Sequence, residues 1–399
     1  MCIGILKLCD CALIMNKKEN QRKLFLIFHG RFPSEKAASL FAAKSAASFA
    51  QAGFSVTLLV PRRLRAIKKD PYEYYKIPRS FKIHYLWTLD LSFIAPFKRV
   101  GFLTSFIVFS FTSFFYLLFC TPKDSIIYSN ESLPLWLASF IFPNTFYEVH
   151  DFPEHKLTFY RSLIKRVKWI LATNQWKAEE LARLAPVAQG KIIVEPNATD
   201  IDVVNGGKSG KEARKKLGLP LDKKIAMYTG HLYGWKGVDT LAEAAQMLSE
   251  DSMVVFVGGT EQDITRFKEM YGEVKNIFIT GHHPHEEMPL WQSAADVLVV
   301  PNTGKEAISS HYTSPMKLFE YMASGRPIVA SNLPSIRQIL SEKNAILVTP
   351  DDAQALADGI KKALDPSSQS SKLVVRSLQD IKRHSWIARA GRIGEFMVD

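Results

Sequence analysis

A chain of 399 residues is long enough for two globular domains and exceeds what one ordinary core holds. Its 47% hydrophobic and 23% charged content excludes a disordered, collagen-like or coiled-coil chain. Residues 1–199 carry 27 Lys and Arg against 14 Asp and Glu, and residues 200–399 carry 24 against 25, so the net charge of +12 resides in the first half. Such asymmetry points to an anionic partner, lipid or a phosphorylated acceptor, or else to a solvated basic surface. No basic motif interleaved with aromatic residues is present, so no nucleic acid is expected as partner.

Residues 1–22 read as an N-terminal extension. Cys2, Cys9 and Cys11 lie here, Cys120 is the fourth cysteine, and their spacing suits neither a metal nor a disulfide framework. That usage fits a reducing cytoplasm. The apolar start is interrupted by Lys7 and Asp10 and lacks a small-residue cleavage site, which makes a poor signal peptide; Met15 is an alternative start. In a cytoplasmic chain the Asn-x-Ser/Thr triplets at Asn130 and Asn197 are chance matches.

From residue 23 the pattern alternates strand and helix. Strands are expected at Lys23–Phe28, Phe54–Val60, Phe81–Trp87, Ser125–Tyr128, Thr145–Val149, Trp169–Ala172 and Lys191–Val194, with a first helix over Ser34–Ala52 stopped by Gly53. Gly101–Cys120 is uncharged and long enough to cross a bilayer. Its five Ser and Thr residues, and its place between strands, favour a buried or half-buried helix over a membrane-surface helix, and either over a span. The basic residues Arg62, Arg63, Arg65, Lys68 and Lys69 suit an anionic membrane surface.

A linker is expected near 196–210, around Asn205-Gly206-Gly207. The alternation then restarts, with strands at Lys224–Tyr228, Met253–Val257, Asn276–Ile279, Asp296–Val300, Pro327–Ala330 and Ala345–Val348. Helices are expected near 237–250, 262–271, 286–293, 315–324 and 352–364. The expected organisation is α/β: a Rossmann-like domain over 23–200, a second over 201–370, and a terminal helix over 371–399 packing back on the first. Two such domains face across a cleft, and ligands bind outside the carboxyl ends of the strands.

Four stretches follow strands and carry polar chemistry. In TSPMKLFEYMASGRPIVA (313–330), Ser314 reads as an N-cap, Pro315 as the first helical residue and Gly325 as the stop. That helix start suits a diphosphate and Glu320 a ribose hydroxyl pair, although an ordinary capped helix reads the same way. In YTGHLYGWKGVD (228–239), a glycine-rich loop presents Lys236 to a leaving phosphate, with His231 as a donor; a capping loop with a solvated lysine is the bland alternative. His150 and Asp151 end a strand in YEVHDF, where a lone histidine is more often structural. Gly30 and Arg31 lie in HGRFPSEKA, which is otherwise a plain strand-to-helix turn. The histidines of GHHPHEEM (His282, His283, His285) have no Asp or Cys set at ligand spacing, so no metal is expected.

Together these stretches resemble retaining glycosyltransferases of the GT-B fold, glycosyltransferase family 4 (glycosyl transferases group 1), over roughly residues 23–395. SPMKLFEYMASGRPIVASNLPSIRQIL and GHLYGWKGVDTLAEA carry most of the resemblance, supported by ADVLVVPN, RFPSEKAASLFAAKSAASFAQAGFSVTLLVP and EPNATD. The resemblance implies a nucleotide-sugar donor and a glycan or lipid-linked acceptor. It implies catalytic roles for His150 at the reacting centre, Lys236 on the diphosphate and Glu320 on the ribose. His231, Tyr312, Thr313, Ser314, Lys317 and His283 complete the donor side; Gly30, Arg31 and Asp151 form the acceptor side. It implies no cofactor or metal, since a cation and a helix dipole stabilise the leaving diphosphate.

Two positions depart from the family pattern. His231 stands where an Arg is frequent, and Tyr312 replaces the first of two Glu eight positions apart, the one that touches the sugar. The implied function is transfer with retention of anomeric configuration in cell-surface polysaccharide biosynthesis, in the cytoplasm at the inner membrane face. A non-catalytic nucleotide-sugar or glycan-binding protein and a GT-B nucleotide-sugar epimerase are the alternatives.

Overall fold

The computed structural model describes residues 21–63, 67–90, 98–150, 152, 157–201, 210–366 and 369–398. The chain forms two compact units. The first comprises residues up to Thr173, Ala178–Glu195 and the segment from Ala390; the second comprises Asn174–Lys177 and Pro196–Arg389.

The first unit is built on β1 (Lys23–Ile27), β2 (Ser55–Pro61), β3 (Lys82–Leu86), β4 (Ile126–Ser129), β5 (Thr145–Val149), β6 (Trp169–Ala172) and β7 (Ile192–Val194). They form one parallel sheet in the order β3-β2-β1-β4-β5-β6-β7. Helices cover both faces, so the inner strands are apolar on both sides, and this is why they read as continuous apolar runs. Every expected strand is present, with ends shifted by a residue or two at most.

The Lys98–Cys120 helix carries the chain from β3 to β4. Ser105, Phe109, Ser113 and Leu117 are fully buried on it, whereas Phe111, Phe115 and Phe119 are exposed. Because β3 and β4 run parallel in one sheet, the helix is a crossover lying on that sheet rather than a span, and it is half-buried.

The second unit contains β8 (Lys224–Thr229), β9 (Ser252–Val257), β10 (Ile277–Gly281), β11 (Val297–Val300), β12 (Ile328–Ser331) and β13 (Ile346–Val348). They make a parallel sheet in the order β10-β9-β8-β11-β12-β13. Each unit is therefore Rossmann-like. Strand order reverses between β1 and β4 in one sheet and between β8 and β11 in the other, and loops diverge there to leave a crevice.

The C-terminal segment is not one helix. Ser370–Asp380 is followed by a 3₁₀ turn at Ile381–His384 and then by a helix at Trp386–Val398. The break falls where Ser385 bridges Thr199, whose N–H donates to the His384 carbonyl at 3.0 Å. The final residues pack within the first unit: Arg392 pairs with Glu195 at 2.5 Å, and Phe396 lies 5.6 Å from the Trp169 ring.

Candidate functional site

The loop after β8 is fixed by its own residues. The Tyr228 hydroxyl donates to the His231 carbonyl at 2.6 Å, and the Gly230 N–H donates to the Val257 carbonyl at 2.8 Å. His231 itself is exposed and stacks on Tyr233 at 4.9 Å. The chain passes through a 3₁₀ turn at Gly234–Lys236 and reaches Gly237 at φ +69°. A Cβ there would fall 1.9 Å from the Pro301 carbonyl oxygen, so glycine is required for this loop to lie against the end of β11.

Two lysines stand over aromatic rings here. Lys236 Nζ lies 3.6 Å from the Trp235 ring centroid, and burial pushes its ammonium down to about 7. Lys317 Nζ lies 3.7 Å from the Tyr228 ring centroid and is buried with no hydrogen-bond partner. Burial, and then the neighbouring Lys236 charge, hold Lys317 well below the usual lysine range, with Glu320 pulling the other way. Two neighbouring lysines with only Glu320 to offset them, one of them without a hydrogen-bond partner, form an arrangement that an anion would complete by favouring their charged forms.

Lys317 and Glu320 lie on the Met316–Ala323 helix. Ser314 is not its N-cap: Pro315 flanks the helix in an extended conformation, and no side chain caps the first turn. The Leu318 N–H donates to the Pro315 carbonyl at 3.1 Å, which leaves the Met316 and Lys317 N–H groups of the first turn for another acceptor. Gly325 at φ +70° ends the helix as expected. Tyr321 ties this helix to β8, accepting from the Thr229 N–H at 2.7 Å.

Glu320 is fixed by two donors. His285 Nε2 lies 2.9 Å from one carboxylate oxygen and Gln292 Nε2 donates to the other at 3.3 Å. Burial opposes its ionisation, but His285, Gln292 and Lys317 outweigh it and hold the carboxyl below its usual range. His283 makes no such contact; it pairs with Glu287 at 3.0 Å and packs on Trp291. The histidine of this loop that meets Glu320 is His285 rather than His283, brought round by the 3₁₀ turn His285–Glu287. Among the described residues no three His, Cys, Asp or Glu side chains gather at metal-binding distance.

The segment entering the helix is held by two asparagines absent from the sequence reading of the site. Asn174 donates to the His311 carbonyl at 3.0 Å and to that of Thr313 at 3.4 Å; Asn197 donates to the Ser314 carbonyl at 2.6 Å. Tyr312 stacks on Trp176 at 5.2 Å. These contacts place Tyr312, Thr313 and Ser314 at the start of the lysine-bearing helix.

In the first unit His150 follows β5, 3.1 Å from the Glu148 carboxylate, with its ring edge-on to Phe41 at 4.5 Å. Glu148 is fully buried and also accepts from the Tyr128 hydroxyl. His150 is thus an oriented histidine, and Glu148 is the residue the sequence reading passed over. Asp151 lies outside the described residues. Gly30 is fixed by Phe28, whose ring would meet a Cβ at 2.1 Å, and Arg31 is exposed beside it.

A second buried cluster joins the ends of β1, β2 and β3. Arg63 pairs with Asp90 at 3.1 Å and donates to His29 Nε2 at 2.9 Å. Burial, then the Arg63 cation, push His29 down to about 3 despite Asp90, so its ring is neutral. Arg63 therefore does not join the lipid-facing basic run expected from the sequence: its side chain is 5% exposed.

Residues 223–366, within the second unit, match the Glycosyl transferases group 1 family. Over 229 residues the chain is 27% identical to D-inositol 3-phosphate glycosyltransferase of Xylanimonas cellulosilytica, covering 54% of this chain and 53% of the relative. Over 194 residues it is 28% identical to a Bacillus subtilis protein named for teichuronic acid biosynthesis, the glycosyltransferase TuaC, covering 48% and 46%. The chain thus spans about half the length of the curated relatives it matches. Among solved structures it is similar to sucrose-phosphate synthase from Thermosynechococcus elongatus, with TM-score 0.74 and 20% identity over 94% of this chain and 98% of the other. It is also similar to Anabaena HepE in complex with UDP and glucose, with TM-score 0.72 and 19% identity over 95% and 100%. These likenesses show the fold, two Rossmann-like domains of the GT-B kind.

Proposed function

We propose that this protein is a retaining glycosyltransferase of family 4 that transfers a sugar from a nucleotide-sugar donor to a glycan or lipid-linked acceptor, in the cytoplasm and in cell-surface polysaccharide synthesis. One observation carries the reading. Lys317 Nζ is buried without a hydrogen-bond partner next to Lys236, at the uncapped start of a helix whose Glu320 is ionised and held in place. A diphosphate answers the two ammoniums and the free N–H groups; a ribose hydroxyl pair answers Glu320. Names among the relatives and neighbours, a UDP complex included, agree with such a donor.

In the reaction proposed, the bond between the anomeric carbon and the diphosphate oxygen breaks as the acceptor oxygen bonds to the same face of that carbon. The acceptor proton passes to the leaving diphosphate. Lys236 and Lys317 stabilise the charge that develops on that oxygen, so neither a metal nor another cofactor is required. The role proposed for His150, which Glu148 orients within the first unit, is at the sugar or acceptor hydroxyl.

Thermal unfolding with a panel of nucleoside diphosphates and nucleotide sugars tests the donor site, since a ligand specific to the folded state raises the midpoint. A rise with one nucleotide, lost in Lys236→Ala and Glu320→Ala, supports the assignment and names the base. Absence of any rise rejects it. Donor conversion without acceptor marks an epimerase, and binding without turnover over an acceptor panel marks a binding protein.

A further inference from the structure

The Lys98–Cys120 helix turns to solvent a stripe of large apolar residues. Val100, Leu103, Ile107, Phe111, Phe115 and Phe119 recur at three- and four-residue spacing and are each 40–78% exposed. This stripe runs along a helix about 34 Å long. Single exposed apolar residues are ordinary, but a contiguous stripe of this size marks an interaction surface. The opposite stripe is already used, with Ser105, Phe109, Ser113 and Leu117 fully buried.

Charge selects the occupant. Lys98 and Arg99 open the helix, exposed Lys123 follows it, and the stripe itself carries no charge. The surrounding half of the chain has 27 basic against 14 acidic residues. Two copies of such a face repel each other, whereas an anionic bilayer attracts it and accepts the aromatic side chains. Trp87, 64% exposed, lies at the flank, its carbonyl accepting from the Thr112 hydroxyl at 3.0 Å. An indole suits the headgroup level.

The helix is also tied to a loop named above for other reasons. Ser105 Oγ lies 3.2 Å from His29 Nε2, the Thr88 hydroxyl donates to the Ser105 carbonyl at 2.9 Å, and the His29 ring packs on Phe102 and Phe106. His29 directly precedes Gly30 and Arg31.

We propose that the exposed face of the Lys98–Cys120 helix seats on an anionic bilayer, lying in its plane, and thereby holds the loop after β1 at the membrane surface. This does not depend on the donor chemistry.

The test is co-sedimentation of the full chain with phosphatidylcholine vesicles, with and without phosphatidylglycerol. Wild type should sediment with the anionic vesicles. The Phe111→Ser/Phe115→Ser/Phe119→Ser variant should bind about tenfold more weakly or worse, and Lys98→Gln/Arg99→Gln should lose affinity for anionic vesicles, at about fivefold per charge. As a check that needs no disruption of the face, exposed Cys120 is labelled with an environment-sensitive fluorophore after Cys2, Cys9 and Cys11 are changed to serine. Its emission should shift to the blue on adding anionic vesicles. Failure of wild type to sediment, or equal binding by the triple variant, overturns the proposal. So does a wild-type dimer in sedimentation equilibrium that the triple variant dissociates, because the stripe is then an interface between copies. Nucleotide-induced stabilisation should be unchanged in all variants, which separates this outcome from failure of the donor site.

Discussion

Lys317 Nζ rests 3.7 Å over the ring of Tyr228, and the hydroxyl of that same tyrosine closes the loop that carries Lys236. A face-on ring is a partial substitute for water around an ammonium, but it supplies no hydrogen bond. In the free protein this buried amine lacks a hydrogen bond and burial disfavours its charged form, an unfavourable arrangement that a bound anion would relieve. Lys317→Met keeps the chain length and removes the charge. Its thermal midpoint should rise while affinity for a nucleoside diphosphate falls about a hundredfold, with affinity for the bare nucleoside unchanged. A lysine of structural value only would give a lower midpoint and no selective loss.

The second lysine gives a pH dependence. Burial lowers Lys236 from 10.5 to about 7, so between those values the unfolded chain holds a proton that the folded chain has released. Stability then rises with pH across that window, and the lysine contributes nothing to the slope below it. The urea midpoint of wild type relative to Lys236→Met should accordingly increase from pH 7 to pH 10. Diphosphate binding favours the charged form, so affinity should decline over the same rise in pH. A flat difference between the two proteins places the ammonium in water.

Glu320 offers a test of chemical selectivity. Its carboxylate is held by His285 and Gln292, leaving oxygen lone pairs for a diol. Wild type should prefer a ribonucleoside diphosphate to its 2′,3′-dideoxy analogue by at least about tenfold, and Glu320→Ala should bind both alike. His285→Ala should narrow the preference without abolishing it. Equal affinity of wild type for both nucleotides removes Glu320 from the ribose.

These residues were legible to different depths in the sequence, for physical reasons. Strands buried on both faces leave continuous apolar runs, which is why Thr145–Val149 and Trp169–Ala172 were found to the residue. Lys236 lies in a local strand-to-helix turn and Glu320 on a short helix, both settings in which spacing carries the information. Glu148 was hidden because its partners are Tyr128 on the adjacent strand and His150 two residues on; only strand register brings the three together. Arg63 read as part of a basic surface run because its partner, Asp90, comes from the end of another strand. Composition does not separate His283 from His285, because a 3₁₀ turn that it does not reveal decides which of them meets Glu320. The break at Ser385 has the same origin, a bridge to distant Thr199.

Gly237 tests the loop geometry independently of any ligand. Alanine there would need φ +69° and would place its Cβ 1.9 Å from the Pro301 carbonyl oxygen. Gly237→Ala should lower stability by at least about 2 kcal/mol in urea denaturation and abolish nucleotide-induced stabilisation. Gly234→Ala, with open space around its Cβ position, should do neither. Equal behaviour of the two variants contradicts the close approach of this loop to the end of β11.

The Arg63–Asp90 pair gives the corresponding test in the first unit. Both side chains are 5% exposed, and Arg63 also donates to the His29 ring and carbonyl. Removing one partner strands a buried charge, which costs about 3–5 kcal/mol, whereas replacing both by apolar groups of similar size is far milder. Asp90→Asn should therefore destabilise strongly, Arg63→Met similarly, and the double variant Arg63→Met/Asp90→Leu less than either. The His29 ring, held neutral with its proton on the nitrogen facing away from Arg63, should show no titration between pH 5 and 8 in an imidazole NMR spectrum of the wild type. In Arg63→Met the ring loses its donor and the adjacent cation but keeps Asp90 nearby, so its titration should move up towards the ordinary histidine range. An unchanged His29 titration in that variant breaks the proposed link between the arginine and the ring.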